Sequence, residues 1–315
     1  MEKRKRVLFF IQKYQGYLLL ILLFVVASIT IPYFSAFDNI MRMLRQSVMI
    51  GVLTLAMTIV FTTAEFDLSV GAIAGISGVV ACTLMLKGYS TGTGILAALG
   101  IGGLIGVLNG YLVVSVGIGS FIATLGVSFL INAIELMISG GFPVETGLTP
   151  SYLWLGRGEI FGLIPVPIIF FLVIFGVFHF LSLYTTIGRF FDSIGGGWET
   201  SRLSGIRVVF YKWFAFILCG VVAAIGGLQI TSQLSSAQVL NGNAFLMDAF
   251  TALFLGSSMF GEKPLFIASL IGAIFLTFIS NALTLAGLNY NYIMVIKGGI
   301  LLGVAGLSLY QYVRD

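Results

Sequence analysis

The chain has 315 residues, of which 58% are apolar and only 9% are charged, and its mean hydropathy is +1.08. Soluble globular proteins carry about 25% charged residues. This composition therefore excludes a soluble globular protein and predicts a protein that spans a lipid bilayer. Unbroken apolar runs such as YLLLILLFVVASITI favour helices over the alternating strands of an outer-membrane barrel. We therefore predict an all-α polytopic membrane protein, with residues 1–315 forming a single transmembrane domain.

A helix needs about 20 apolar residues to cross a bilayer, so the length of the chain allows about ten spans joined by short loops. The apolar runs leave an N-terminal segment at 1–15 and a long polar loop at about 184–210. The predicted spans are 16–34, 46–64, 68–86, 93–115, 119–139, 163–182, 211–231, 245–260, 265–283 and 292–309.

Basic residues near the helix ends predict the orientation, because they are retained on the cytoplasmic side. The basic run 3–6 puts the N-terminus in the cytoplasm. Ten spans then put the loop 184–210, with Arg202 and Arg207, and the C-terminus, with Arg314, on the same side. The net charge of +4 reflects this orientation and gives no reason to expect a nucleic-acid partner.

Several classes of active site have no matching motif. The sequence lacks the G-x-x-x-x-G-K-[ST] pattern with which P-loop proteins hold a nucleotide, and it contains one histidine and two cysteines without metal-ligand spacing. No nucleophile stands beside a base. We therefore expect neither an enzyme nor a bound cofactor or metal, which leaves transport, a receptor-like role or a structural subunit.

The stretch FTTAEFDLSVGAIAG, residues 61–75, places two carboxylates between apolar runs. An acid at the middle of a bilayer costs about 2.5–3.5 kcal/mol on insertion scales, so it normally faces a bundle interior or an aqueous cavity. Asp67 can cap a helix by accepting from the N–H of Ser69 or Val70, or it can contact the solute or a gate directly. We expect Glu65 and Asp67 to organise a helix start at a break between two spans, which is where transporters build paths.

Polar side chains recur near the ends of other spans, beside glycines at four-residue spacing that permit close helix packing, such as Gly102 and Gly106. These polar positions are the candidates for a translocation path or gate: Asp67, Ser69, Asn109, Thr124, Gln229, Asp248 and Asn281.

The polar loop contains the stretch TTIGRFFDSIGGGWETSRLSGI. Its glycine triplet, 195–197, predicts a break, and the following WETSRLSGI predicts a short amphipathic helix at the membrane surface, with Glu199 and Arg202 at i,i+3 and Gly205 placed to end it. A solvated loop on the positive side of the membrane is the alternative.

Four blocks occur in a recognisable order: DLSVGAIAGISG, NGYLVVSVGIGSFIATLG, GRFFDSIGGGWETSRLSGI and MDAFTALFLGSSMFGEKPLFIASLIGAIFLTFISNALTLAGL. Over about 46–309 the chain thereby resembles the membrane permease subunit of ribose-type sugar ABC importers. The resemblance implies a bacterial inner-membrane protein with three kinds of partner: a second permease, the same or a different chain; a cytoplasmic ATPase that holds ATP and Mg²⁺; and an extracytoplasmic sugar-binding protein. It also implies that a coupling helix docks on the ATPase through Gly195, Gly196, Glu199, Arg202, Leu203, Ser204 and Gly205.

Two departures from the family pattern leave the solute open. The chain has TAEFDLSVG where the family usually has GGIDLSVG, and it carries Trp198 in the coupling region. A monosaccharide is expected, with a nucleoside or a branched-chain amino acid as alternatives within the same mechanism. Outside that mechanism, the alternatives are a secondary transporter that uses Asp67, Asp248 or Lys297 as an ion-coupled charge, and a scaffold or receptor subunit that transports nothing.

Overall fold

A computed structural model describes residues 17–145, 147–260 and 265–314, so the predicted N-terminal segment 1–15 lies outside the described residues. The described part is all-α, as predicted, apart from two strands of two residues each, Glu159–Ile160 and Ile164–Pro165, which pair antiparallel. The helices are α1 Tyr17–Thr30, α2 Phe37–Phe61, α3 Val70–Leu86, α4 Thr91–Gly110, α5 Ser120–Ser139, α6 Pro150–Arg157, α7 Val166–Tyr184, α8 Thr186–Gly196, α9 Trp198–Leu203, α10 Val208–Leu234, α11 Asn241–Phe260, α12 Leu265–Leu285 and α13 Tyr290–Arg314.

Six helices among the described residues are long and apolar enough to cross a membrane: α2, α4 with its π-helical continuation Tyr111–Ser115, α5, α7, α10 and α12. The helix α3 is apolar but has only 17 residues. The multi-pass architecture is thus confirmed, whereas the count of ten spans stays a prediction.

The chain divides into two compact units, one formed by Leu55–Met247 and the other by Met1–Thr54 with Asp248–Asp315. In the first unit α10 packs against α4 and α3. Glycines allow this close approach: a Cβ built on Gly102 would lie 2.4 Å from the Gly220 carbonyl oxygen, and one on Gly227 would meet the Ala74 carbonyl of α3. The helices therefore touch backbone to backbone, as small residues permit in membrane bundles.

In the second unit α11 and α12 pack in the same way, since a Cβ on Gly272 would collide with the Ala252 carbonyl. The rings of Phe24, Phe34 and Phe278 form an aromatic cluster in this unit, with centroids 5.7–6.3 Å apart.

The loop 184–210 differs from its prediction. It contains two helices, α8 and α9, where one short helix was expected, and the break between them falls at Gly197 alone. Gly195 and Gly196 are the last residues of α8. The prediction of a break across the whole triplet was wrong, because glycine lowers helix propensity by only about 1 kcal/mol and packing overrides it.

Candidate functional site

The segment between α2 and α3 is a backbone break in which Asp67 is 1% exposed. Asp67 Oδ1 accepts hydrogen bonds from the Ser69 N–H at 2.8 Å and from the Ser69 hydroxyl at 2.6 Å. The expected bond to the Ser69 N–H is therefore present. The capping position itself is Ser69, directly before Val70, and the Ser69 side chain makes no capping bond with the helix.

The helix α4 brings Asn109 to the same carboxylate. Its Nδ2 donates to Asp67 Oδ2 at 3.2 Å and to Ser69 Oγ at 2.8 Å, and Asn109 is fully buried. From α10, the Cys219 thiol lies 3.6 Å from Asp67 Oδ2. Neutral donors thus surround the acid, which is how a charged group is accommodated in an apolar bundle.

Hydroxyl groups near the start of α5 hold the backbone on either side of Asp67. Thr124 Oγ1 accepts from the Leu68 N–H at 3.0 Å, and Ser120 Oγ accepts from the Phe66 N–H at 3.2 Å. Unpaired N–H groups in a non-helical segment are costly in a membrane, so these bonds allow the break to exist there. We call the six residues of this arrangement the Asp67 network: Asp67, Ser69, Asn109, Ser120, Thr124 and Cys219.

At the edge of the network Glu65 forms an ion pair with Lys212 of α10, with Nζ and Oε1 2.5 Å apart. Both side chains are largely buried, at 15% and 17% exposure. The sequence alone did not predict this ion pair, because Lys212 lies 147 positions after Glu65 in the chain. The ion pair ties the break to α10 a second time.

The structure brings four of the seven path candidates together, namely Asp67, Ser69, Asn109 and Thr124. Gln229 belongs to the same unit but is not part of this network. Gln229 lies ten residues beyond Cys219 on α10 and is 3.5 Å from the Leu155 carbonyl of α6.

The remaining two candidates belong to the other unit. Asp248 accepts from Lys297 at 2.8 Å and 3.1 Å. The amide of Asn281 exchanges hydrogen bonds with that of Asn39 at 3.0 and 3.1 Å. Each of these two candidates therefore has a partner of its own.

Sequence reasoning missed Glu135, a fully buried acid near the end of α5. Its Oε1 accepts from the Leu240 N–H at 2.7 Å, just before α11, while Oε2 has no hydrogen-bond partner within the described ranges. Gly75 of α3 leaves the space for this carboxyl, since a Cβ there would lie 2.4 Å from Oε2. The sequence feature that could have identified Glu135 is its position as a single acid inside an apolar run.

The helices α8 and α9 connect the loop 184–210 to the Asp67 network. Gly195 approaches the end of α2 so closely that a Cβ would lie 2.3 Å from the Thr62 carbonyl oxygen. The Thr62 backbone leads within three residues to Glu65. A displacement of α8 would therefore act directly on the break.

The short helix α9 presents an open face. Its inward residue Ser201 is 2% exposed and lies 2.9 Å, Oγ to Oγ, from Ser193 of α8. Gly205, with φ +84°, follows the helix in the left-handed region that favours glycine. The exposed residues of α9 and its C-cap are Trp198, Glu199, Thr200, Arg202, Leu203 and Ser204.

Residues 39–305 match the family described as the permease component of branched-chain amino acid transport systems. The chain is 32% identical to the ribose import permease protein RbsC of Escherichia coli (strain K12) over 90% of this chain and 89% of that protein. It is 33% identical to the ribose import permease protein RbsC of Bacillus subtilis (strain 168), covering 92% and 91%. It is 31% identical to the L-arabinose ABC transporter permease protein AraH of Azospirillum brasilense, covering 90% and 83%. No solved structure gives a significant match.

The long apolar helices of the described residues and the family match define a multi-pass membrane permease. The match over residues 39–305 then identifies the family: the chain belongs to the permease components of ABC importers and is similar to the ribose-type permeases.

Proposed function

We propose that the chain is the permease subunit of an ATP-driven ABC importer that moves a monosaccharide across the bacterial inner membrane. The names of the ribose and L-arabinose permeases to which it is similar support this solute class. Residues 1–315 then act as one permease domain. An extracytoplasmic binding protein delivers the sugar, and the path lies between this subunit and a second permease.

The open face of α9 carries the proposal. Both termini and the loop 184–210 face the cytoplasm in this assignment, in keeping with the basic residues there. The exposed side chains of Trp198, Arg202 and Leu203 supply an aromatic, a cationic and an aliphatic contact for a groove on the ATPase. ATP and Mg²⁺ bind to that partner, because this chain has no P-loop.

The contact between Gly195 and Thr62 supports a route for coupling. ATP-dependent movement of α8 and α9 displaces the end of α2, and the Glu65–Lys212 pair and the Asp67 network pass that displacement to α4, α5 and α10. Asp67 in this role positions the break and does not touch the sugar. A ligand shifts such an equilibrium only by its differential affinity for the two states, and a few kcal/mol from the ATPase contacts suffices.

The contact between Asp248 and Lys297 argues against the alternative function of an ion-coupled secondary transporter. Their ion pair neutralises the acid and the base that a secondary transporter would use as separate coupling charges. An amino acid is the nearer alternative solute, because the family description names branched-chain amino acids.

The test compares Arg202→Glu with Lys87→Glu, a charge reversal at an exposed residue that is predicted to lie on the opposite side of the membrane. Tagged protein is extracted in mild detergent from its native membrane, and the co-purified ATPase activity is measured alongside uptake of labelled ribose, arabinose and leucine. We expect Arg202→Glu to insert normally and to weaken ATPase binding at least about tenfold, since losing a buried interfacial charge contact costs about 2–5 kcal/mol.

Three outcomes contradict parts of the proposal. Normal ATPase binding in Arg202→Glu removes the coupling role of α9. Uptake of leucine without uptake of either sugar replaces the solute class. Uptake that follows an ion gradient and persists without any ATPase replaces the mechanism.

A further inference from the structure

A groove of about 700 Å³ runs from the connection after α9 along the first half of α10. Its walls are almost wholly apolar and include Phe210, Trp213, Phe214 and Ile217, while Arg202 and Arg207 also line it. The ring of Phe214 stacks with that of Phe210 at 6.2 Å between centroids, which makes a continuous aromatic wall. The groove is separate from the Asp67 network and from the Gly195–Thr62 contact.

The two arginines leave their charge available to a ligand. Arg202 lies over the Trp198 ring at 5.8 Å and Arg207 over the Phe210 ring at 5.5 Å. Within the described ranges neither guanidinium forms an ion pair with a carboxylate. An aromatic face orients a guanidinium and leaves its N–H groups free to bind an anion.

The dimensions of the groove match one leaflet of a bilayer. Arg207 directly precedes α10, and Ile217 lies ten residues further along, which at 1.5 Å per residue corresponds to about 15 Å. Half of a hydrocarbon core of about 30 Å is the same length. The two arginines therefore lie at one end of an apolar groove whose length equals the thickness of one leaflet of the hydrocarbon core.

We propose that this groove binds an anionic phospholipid, with its phosphate between Arg202 and Arg207 and one acyl chain along Phe210, Trp213 and Ile217. Charge complementarity selects this occupant, because an apolar surface of a second protein chain would bury two arginines without a counter-charge. The lipid joins the end of α9 to α10 and so stabilises the geometry of the loop 184–210. This inference holds whichever solute is transported. It shares Arg202 with the proposed ATPase contact, since the five N–H donors of a guanidinium can bind a phosphate and a carboxylate together. Arg207 lies outside the face of α9 proposed to dock on the ATPase, so Arg207→Gln tests the lipid contact separately.

The test uses tryptophan quenching by brominated lipid. The chain has three tryptophans, so Trp154→Phe and Trp198→Phe leave Trp213 in the groove as the reporter. The protein is reconstituted into phosphatidylcholine vesicles with increasing fractions of phosphatidylglycerol brominated on its acyl chains, and a parallel series uses brominated phosphatidylcholine. The comparison is repeated for Arg207→Gln, for Arg202→Gln and for the control Arg189→Gln, which changes an exposed arginine of α8 outside the groove.

We expect phosphatidylglycerol to reach half-maximal quenching at a several-fold lower lipid fraction than phosphatidylcholine. Each groove arginine should contribute about fivefold to this preference, while Arg189→Gln should leave it nearly unchanged. Equal quenching by the two lipids overturns the proposal and leaves an unselective lipid-facing surface. Weak quenching by both lipids also overturns it and shows that protein covers the groove. Circular dichroism and a single size-exclusion peak confirm that each variant is folded.

Discussion

Two acids of this chain, the buried Asp67 and the partly buried Asp248, are accommodated in different ways. Asp67 is 1% exposed and is bonded by neutral N–H, O–H and amide donors that belong to a backbone break and to α4, with a thiol from α10 nearby. Asp248 is bonded by one ammonium group, that of Lys297 on α13, and its side chain is 18% exposed. The first arrangement fixes the path of the backbone, whereas the second joins two helices.

The difference shows what each acid can do in transport. Donors from several elements reach Asp67, so any movement of α4 or α10 relative to the break changes its contacts. An ion pair such as Asp248–Lys297 can be replaced as a unit, because among the described residues each of its two charges pairs with the other. We therefore expect conformational coupling to depend on Asp67 and helix association to depend on Asp248.

The largest effect is expected for Asp67→Ala. This change leaves the Ser69 N–H and the Ser69 hydroxyl without their acceptor, at about 1–3 kcal/mol for each buried donor, while the Asn109 amide retains its bond to Ser69 Oγ. We expect the melting temperature in mild detergent to fall strongly and uptake to be lost. The matched control is Asp38→Ala, which removes an exposed acid from the first turn of α2 and should leave the melting temperature within the range of surface changes. Equal melting temperatures for the two variants would show that the Asp67 network does not hold the break.

A smaller effect is expected for Lys297→Met, which leaves Asp248 unpaired in the membrane at about 2.5–3.5 kcal/mol before relaxation. The double variant Asp248→Leu with Lys297→Met removes both charges and should recover most of the lost thermal stability. Stability is read from thermal unfolding of all three proteins in the same detergent. If the double variant is as unstable as the single one, the pair contributes more than mutual neutralisation, and the contrast with Asp67 fails.

The smallest effect is expected for Glu65→Gln. Its oxygen can still accept from Lys212, but the pair loses its charge attraction, which we expect to be worth about 1 kcal/mol at this partial exposure. The melting temperature should decline slightly, and more so at low salt than at high salt, because salt screens the wild-type pair. A salt-independent difference would mean that Glu65 acts through shape and hydrogen bonding alone.

Much of the helical framework could be predicted from apolar runs. The prediction 119–139 corresponds to α5 at Ser120–Ser139, and 265–283 to α12 at Leu265–Leu285. These boundaries are local properties, since each run ends where polar residues or glycine begin. The helix α6 and the two short strands were missed because they are too short and too mixed in composition for hydropathy to reveal them.

The site could be predicted only in part, for a different reason. Asp67 and Ser69 are neighbours in sequence, so their bond follows from helix-start chemistry. The thiol of Cys219 lies 152 positions from Asp67 in the chain, so the sequence alone did not predict their contact. Tertiary contacts of this kind depend on which faces of α4 and α10 meet. The four-residue glycine spacing of α4 predicts a close helix contact but not that Gly102 meets Gly220 of α10.

We infer that Asp67 positions the break and does not contact the solute. The most direct measurement is the relative uptake of ribose, arabinose, allose and leucine by Asp67→Asn, compared with the unchanged protein at equal folded amounts. We expect the uptake of every transported solute to decline by the same factor, so that the order of preference among solutes is unchanged. A normally folded variant with a changed order of preference would contradict it and place Asp67 on the translocation path.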